Sequence, residues 1–553
     1  MPNETKPQAG AVIEFHPEAF TVHGKKLMGR HSAGSGFLDA HLRYGTQGEH
    51  RILVYNREHA GEFTARAKAA GSAKPVCALM PSAMGRIAET GTLFLGAPGL
   101  AAHAFQRSLF GAKRWSICGV THTLLSDRVM DALAAMVPAP VENWDAIVCT
   151  SDAARTVVES VFSAEEERLA SRLGAKNFTR PLLEKIPLGV HTADFPGAPA
   201  RRAEARRKVG LAEGEIAVLF VGRLSFHAKA HPAAMDMAVA AAARGRKVAI
   251  VEYGIFPNPQ IAEAFAEAAR GLAPGIRRIV LDGSNHALAA DAWACADVFC
   301  SLSDNHQETF GLTLPEAMAS GLPAVVSDWN GYKDTVRDGV DGFRIRTTAP
   351  APPFGSELAI PYALGTMGYD RYCGTASQFV GVDTAEAAKA FDALFSSAEL
   401  RLKMGAAGMA RAKSEFDWSA IHPRYEALWA ELAARRQRAM QTQAPPARSP
   451  WPARANPFEA FSCYPTSHVG AGSTIFPGPR PDPAHAETCR GMACFSLAAP
   501  FLPPPHGLAE ILGKIPGNGI PFGELSASLP PELAAKLIPT LSWCAKIGAV
   551  RIA

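Results

Sequence analysis

The 553-residue sequence predicts an α/β protein: two successive doubly wound parallel sheets, then a Pro/Gly-rich linker and a small helical module. Three observations predict this. Short apolar runs alternate with helix-patterned stretches, the alternation restarts near residue 215, and the composition changes after about residue 440.

In the first half, HRILVYNRE, KPVCALMP, GTLFLGAP, RWSICGVTHT and DAIVCTS read as strands bounded by turn residues. AAHAFQRSLF and AARTVVESVF read as helices among them. After a basic, Ala-rich stretch, IAVLFVG, KVAIVEYG, IRRIVLDG, ADVFCSL and LPAVVSD repeat the pattern around helices such as HPAAMDMAVAAAARG. Asp383 and Glu386 stand at capping-box spacing and start a further helix. Two Rossmann-like domains follow, residues 1–198 and 199–440, and in such folds ligands bind beyond the carboxyl ends of the strands. Residues 441–506 carry APPARSPWPAR, FPGPRPDP and FLPPPHG, which read as a linker because Pro breaks helices and central strands. Residues 507–553 read as a helical module with a winged-helix flavour.

Hydrophobic residues make up 48% and charged residues 20%, which excludes wholesale disorder. A net charge of +4 gives no basis for nucleic-acid binding. The ten cysteines include no CxxC and read as reduced thiols of a cytoplasmic protein. A metal site built from Cys463, His468, His485, Cys489 and Cys494 is disfavoured by its loose spacing. The N-terminus lacks a signal-peptide pattern, and no apolar run is long enough to span a membrane. The basic stretches Arg201–Lys208 and Arg435–Arg438 suit a peripheral contact with an anionic membrane surface, and equally a solvated helix face.

The most informative segment is SLSDNHQETFGLTLPEAMASGLPAVVSDWNGYKDTVRDGVDGF. Thr313 and Glu316 have capping-box spacing and Pro315 suits a first helical turn, so a helix N-terminus is expected to offer amides to an anion. Taken alone, Glu316 reads as a helix cap and Glu308 as a loop charge. The continuous pattern is more specific: Glu308, seven residues, then Glu316, with Gly311, Ala317, Ala319, Gly321, Pro323 and Asp338-Gly339…Gly342-Phe343. It resembles the E-x7-E segment of the family-4 retaining glycosyltransferases of GT-B fold. VLFVGRLSFHAKAHP resembles the same group's G-R…K signature, with one extra residue before the Lys. Over residues 10–440 the resemblance is strongest in 215–345.

This resemblance implies roles by position. Arg223 and Lys229 would contact the donor diphosphate, whose departing charge two cations neutralise. Glu316 would hold the nucleotide ribose and Glu308 the sugar near its reacting carbon. Backbone around Phe310, Gly311, Leu312 and Thr313 would meet the phosphates. In AGSGF, Gly34, Ser35 and Gly36 correspond to a glycine-rich turn near donor and acceptor, although the motif taken alone reads more readily as a plain tight turn. His122, after a strand, corresponds to a His close to the donor sugar, or else is structural. His191 replaces the Asp of a P-x-G-V-D turn and receives no role. The implied activity is retaining transfer from a UDP- or GDP-sugar to a glycan, lipid-linked or small-molecule acceptor, as in polysaccharide biosynthesis, with no metal or other cofactor. The competing reading is a catalytically idle, nucleotide-sugar-binding scaffold that works through its C-terminal module, the segment also suited to homodimerisation. The stretch 347–382 has no counterpart in this pattern.

Overall fold

The computed structural model describes residues 10–20, 29–195, 199–441 and 450–553, which fall into two compact units, the chain passing from one to the other between Trp451 and Pro452. Among the described residues, the first unit holds two all-parallel sheets. The first comprises β1 (Val12–Glu14), β2 (His50–Leu53), β3 (Val76–Leu79), β4 (Thr92–Phe94), β5 (Ser116–Val120), β6 (Ala146–Cys149) and β7 (Leu182–Lys185), in the order β3-β2-β1-β4-β5-β6-β7. The second comprises β8 (Ile216–Val221), β9 (Val248–Gly254), β10 (Arg277–Asp282), β11 (Val298–Ser301), β12 (Ala324–Ser327) and β13 (Gly342–Ile345), in the order β10-β9-β8-β11-β12-β13. Strand order reverses beside β1 and β8, and such reversals open a crevice at the strands' carboxyl ends. All ten strand readings have a counterpart here. The strands β1, β7 and β13, three or four residues long, complete the sheets.

Burial on both faces explains the near-continuous apolar strands. In the first lobe, Ile13, Ile52, Phe94 and Val148 pack one face, and Val12, Leu53, Ile117 and Ile147 the other. One charged pair lies within this core. Arg107 donates to Asp145 at 2.8 Å, both side chains fully buried, and Asp145 also accepts the Ile117 amide at 2.8 Å. Multiple hydrogen bonds are what make a buried pair tolerable.

The span 199–440 expected for the second domain ends in a helix that packs on the first lobe. The chain crosses back where the Val190 amide donates to Phe416 O at 2.8 Å and the Trp418 amide to Val190 O at 3.0 Å. The helix Trp418–Met440 then lays Trp418, Ile421, Tyr425, Leu428 and Trp429 into the first lobe's core. Arg436 anchors its far end, donating to Ser116 Oγ at 2.6 Å and Gly91 O at 2.5 Å.

Residues 452–553 also depart from expectation. Within the expected linker, β16 (Thr474–Pro477) is the central strand of an antiparallel sheet with β17 (Ile520–Pro521) and β18 (Val550–Ile552), and Pro483–Gly491 is helical. Pro483 and Pro505 fall at helix starts, where a missing N–H costs nothing. Ile475, Ala486, Cys489 and Leu502 join Leu508, Ile511, Leu541 and Val550 in one core, so the module begins well before residue 507 and is mixed α/β. His485 Nε2 lies 3.0 Å from Ile547 O, Cys463 and Cys494 are exposed, and no group of three or more metal-ligating side chains occurs among the described residues. No helix of the described residues is long and apolar enough to cross a membrane.

Beneath the returning helix, His41 Nδ1 and His422 Nε2 lie 3.2 Å apart, both fully buried. Burial, with the nearby histidines and Lys74, holds His41 far below the usual imidazole range; burial brings His422 to about 4. Both rings stay neutral in the fold but protonate near pH 6.5 in the unfolded chain, so their contribution is full above pH 6.5 and drains away as pH falls toward 4. Thermal melts across pH 7 to 4 should show this loss, and the His41→Phe, His422→Leu double variant should show a shallower slope across that window.

Candidate functional site

The loop between β11 and the helix Thr313–Ala319 is fastened from several directions. Asn305, fully buried, donates to His227 O at 3.0 Å and accepts the Gln307 amide at 2.9 Å. Trp329 Nε1 donates to Asn305 O at 3.1 Å, and Asn330 Nδ2 to Glu308 O at 2.8 Å. From the first lobe, Ser151 Oγ donates to Thr309 O at 2.8 Å. Gly311 has φ +85°, and a Cβ there would run into the Tyr332 ring. Tyr332 is itself fixed, its hydroxyl 2.8 Å from Ser301 Oγ.

This framework presents Glu308, whose side chain is 13% exposed, to Lys229 at 2.6 Å. Burial alone would raise the carboxyl pKa. The Lys229 charge and hydrogen bond, with the backbone of Thr309 and Gly311, outweigh it and hold Glu308 below the usual range, ionised. The extra residue between Arg223 and Lys229 is absorbed by a turn on Ser225, whose carbonyl accepts the Ala228 and Lys229 amides at 3.2 and 2.9 Å. The Arg223 carbonyl accepts the Ser225 amide at 3.0 Å, while its half-buried guanidinium has no hydrogen bond or ion pair among the described residues.

The expected capping box does not form. The N-cap is Leu312, without a side-chain cap, and Thr313 is the first helical residue. Pro315 does occupy the first turn. Glu316 is therefore not spent on its helix: its carboxyl, half-buried, has no partner among the described residues, and burial pushes it up to about 8. Phe310 is buried in the core, its ring 6.3 Å from Phe416, so it can offer a ligand only its backbone. Leu312 packs against the same core.

On the first lobe, His122 follows β5 at the carboxyl edge, beside the strand that leads to Ser151. Gly34, Ser35 and Gly36 correct the sequence reading: they lie inside the helix Gly29–Tyr44 and do not form a turn that opens it. A Cβ on Gly34 would strike the Ala19 carbonyl, and one on Gly36 would come 2.8 Å from Trp418 Nε1. Ser35 Oγ accepts from Arg66 at 2.6 Å. These residues let the helix pack closely.

The stretch 347–382 is built into the cleft's edge. β14 (Thr347–Thr348) and β15 (Gly381–Val382) pair at its base, and it carries the helices Ser356–Ala363 and Tyr369–Ser377. Gly374 lies so close to His227 that a Cβ would come 2.7 Å from the His227 Cβ. Across the cleft, the Tyr362 hydroxyl accepts the Asp127 amide at 3.0 Å, while its ring stacks on Tyr372 at 4.3 Å. Sequence reasoning also passed over Asp304. It is buried, accepts the His231 amide at 3.3 Å, and burial moves it up to about 7.

Residues 215–352, the segment holding Arg223, Lys229, Glu308 and Glu316, match the family model described as glycosyl transferases group 1. D-inositol 3-phosphate glycosyltransferase of Nocardia farcinica is 31% identical over 273 residues, 46% of this chain and 58% of that one. The protein of the same name from Geodermatophilus obscurus is 29% identical over 258 residues, 43% and 53% of the two chains. The chain thus spans about half the length of the curated relatives it matches. Among solved structures, Anabaena HepE in complex with UDP and glucose gives a TM-score of 0.51 at 16% identity, covering 76% of this chain and 99% of that one. A glycosyltransferase from Rickettsia africae ESF-5 gives 0.52 at 11% identity, covering 76% and 98%. The two-sheet architecture is the GT-B glycosyltransferase fold.

Two outcomes test this geometry. Because the pKa of Glu316 is raised, its ionisation opposes folding increasingly as pH climbs from about 4.5 toward 8. Glu316→Gln should melt as wild type at pH 4.5 and higher at pH 8.5, by about 1 kcal/mol or roughly 2 °C. Gly311→Ala, strained and clashing with Tyr332, should destabilise by about 2 kcal/mol or more in the same melts.

Proposed function

We propose that the protein is a glycosyltransferase that moves a sugar from a nucleotide-sugar donor, bound in the cleft between the lobes, to an acceptor with retention of anomeric configuration. One observation carries this reading. At the carboxyl ends of β8 and β11, a Glu308–Lys229 pair stands with a cation, Arg223, and a carboxyl, Glu316, that have no protein partner among the described residues. A glycosidase would need two carboxyls flanking a glycosidic bond. Cations beside a carboxylate suit a sugar diphosphate better.

In this reading Glu316 hydrogen-bonds the ribose hydroxyls, and backbone amides of Gly311, Leu312 and Thr313 meet the diphosphate together with Arg223 and Lys229. Glu308 and His122 hold the donor sugar. The bond between the anomeric carbon and the leaving phosphate oxygen breaks, the acceptor oxygen bonds to that carbon on the same face, and its proton passes to the departing phosphate. Arg223 and Lys229 stabilise the charge that develops there. Lys229 then has two tasks, holding Glu308 ionised and receiving phosphate. No metal is assigned a part.

A UDP-sugar is the first donor to test, because HepE holds UDP, and inositol derivatives are the first acceptors, because of the relatives' name. A UDP concentration of 100 times Kd should stabilise the protein by about 2.7 kcal/mol in a thermal-shift assay. Arg223→Ala should abolish that shift. Glu308→Ala should keep the fold and lower sugar transfer or donor hydrolysis by about 100-fold or more. Near-normal turnover in Glu308→Ala would remove Glu308 from the mechanism.

A further inference from the structure

A second polar cluster lies on the same edge of the first sheet. Glu14 ends β1, Tyr55 follows β2, and His103 lies in the helix Ala101–Ser108 that follows β4; these three strands are neighbours. Glu14 Oε1 accepts the Tyr55 hydroxyl at 2.7 Å and faces His103 Nε2 at 3.0 Å. The other Glu14 oxygen has no hydrogen bond among the described residues. The side chain is 21% exposed, and this oxygen is not among the fully buried, unpartnered polar atoms. His103 Nδ1 is buried, and no partner for it occurs among the described residues. That leaves Nε2 to serve Glu14.

The position of this edge follows from the topology. All seven strands are parallel, and the edge beyond β6 carries Ser151, which bonds to Thr309 beside Glu308. β4 separates β1 from β5, so Glu14 stands about 10 Å along the edge from the strand that leads to His122. That spacing leaves room for one sugar-sized ring beside the donor sugar. Burial would raise the Glu14 pKa, but His103 and Tyr55 outweigh it and hold the carboxyl below its usual range. An ionised carboxylate only accepts hydrogen bonds, so its ligand must donate them.

We infer that Glu14, oriented by Tyr55 and His103, is an acceptor-binding residue that selects a polyhydroxylated ring by taking hydrogen bonds from its hydroxyls. The inference rests on the reading of the cleft as a glycosyltransferase site. Tyr55 and His103 are positioning residues that fix the carboxylate.

Saturation-transfer NMR on the full-length protein, with and without UDP, tests this with D-glucose and myo-inositol as probes. Wild type should show transfer to at least one probe, and Glu14→Gln should weaken that binding about tenfold or more. Tyr55→Phe, at a residue 46% exposed and thus safe for folding, should weaken it about threefold by freeing the carboxylate. Binding of neither probe to wild type, or equal binding to Glu14→Gln, would overturn the assignment. A UDP thermal shift run on each variant separates the two readings. Its absence in wild type counts against the donor site alone, whereas its persistence in Glu14→Gln shows that the altered protein is folded.

Discussion

An ionised carboxylate held away from water is unfavourable unless a counter-charge and hydrogen bonds compensate it, and Glu308 is such a group. Lys229, 79 residues away in sequence, supplies the charge at 2.6 Å. For that meeting to recur in every molecule, both partners need rigid supports. Lys229 stands on the Ser225 turn after β8, and Glu308 on a loop gripped by Asn305, Asn330, Tyr332 and Ser151. The buried parallel sheet behind them puts the two strand ends side by side. Much of the surrounding architecture therefore serves to keep one pair of charges in register.

The two lobes supply different chemistry to the crevice. The second offers a fixed ion pair, a cation and a carboxyl, the last two without protein partners among the described residues. The first offers histidines, a tyrosine and a second carboxylate along its strand ends. The stretch 347–382 touches both, meeting His227 on one side and the Asp127 amide on the other through Tyr362. Its link to the first lobe is a single exposed hydroxyl–amide bond, worth about 1 kcal/mol net.

Much of the fold was legible because buried parallel strands are apolar throughout: IAVLFVG and ADVFCSL admit few other readings. The pattern of Arg223, Lys229, Glu308 and Glu316 could be read from the sequence, and the structure brings Lys229 to Glu308 at 2.6 Å despite the extra residue. The errors share a cause. Thr313 and Glu316 have the spacing of a capping box whether Thr is the cap or the first helical residue, and only hydrogen bonds tell the two apart. Gly34 and Gly36 signal close approach, but the approaching group, Trp418 for Gly36, lies almost four hundred residues downstream. Prolines at 477, 483 and 505 suggested a linker because Pro is incompatible with element interiors. They fall at element ends, where the same residue is helpful. Glu14, Tyr55 and His103 were invisible because strand order, which no local pattern encodes, makes them neighbours.

The helix Trp418–Met440 has a consequence for biosynthesis. The first lobe's sheet is complete once residue 185 has been made, yet the helix that covers part of its core arrives only after the whole second lobe. At ordinary rates of roughly 5–20 residues per second, an apolar strip around Phe37 and Phe94 waits about 13–50 s on the ribosome for its cover. During that interval the nascent chain is a natural client for a chaperone. A chain cut short anywhere in the second lobe would release a first lobe whose strands are all present but whose surface is unfinished.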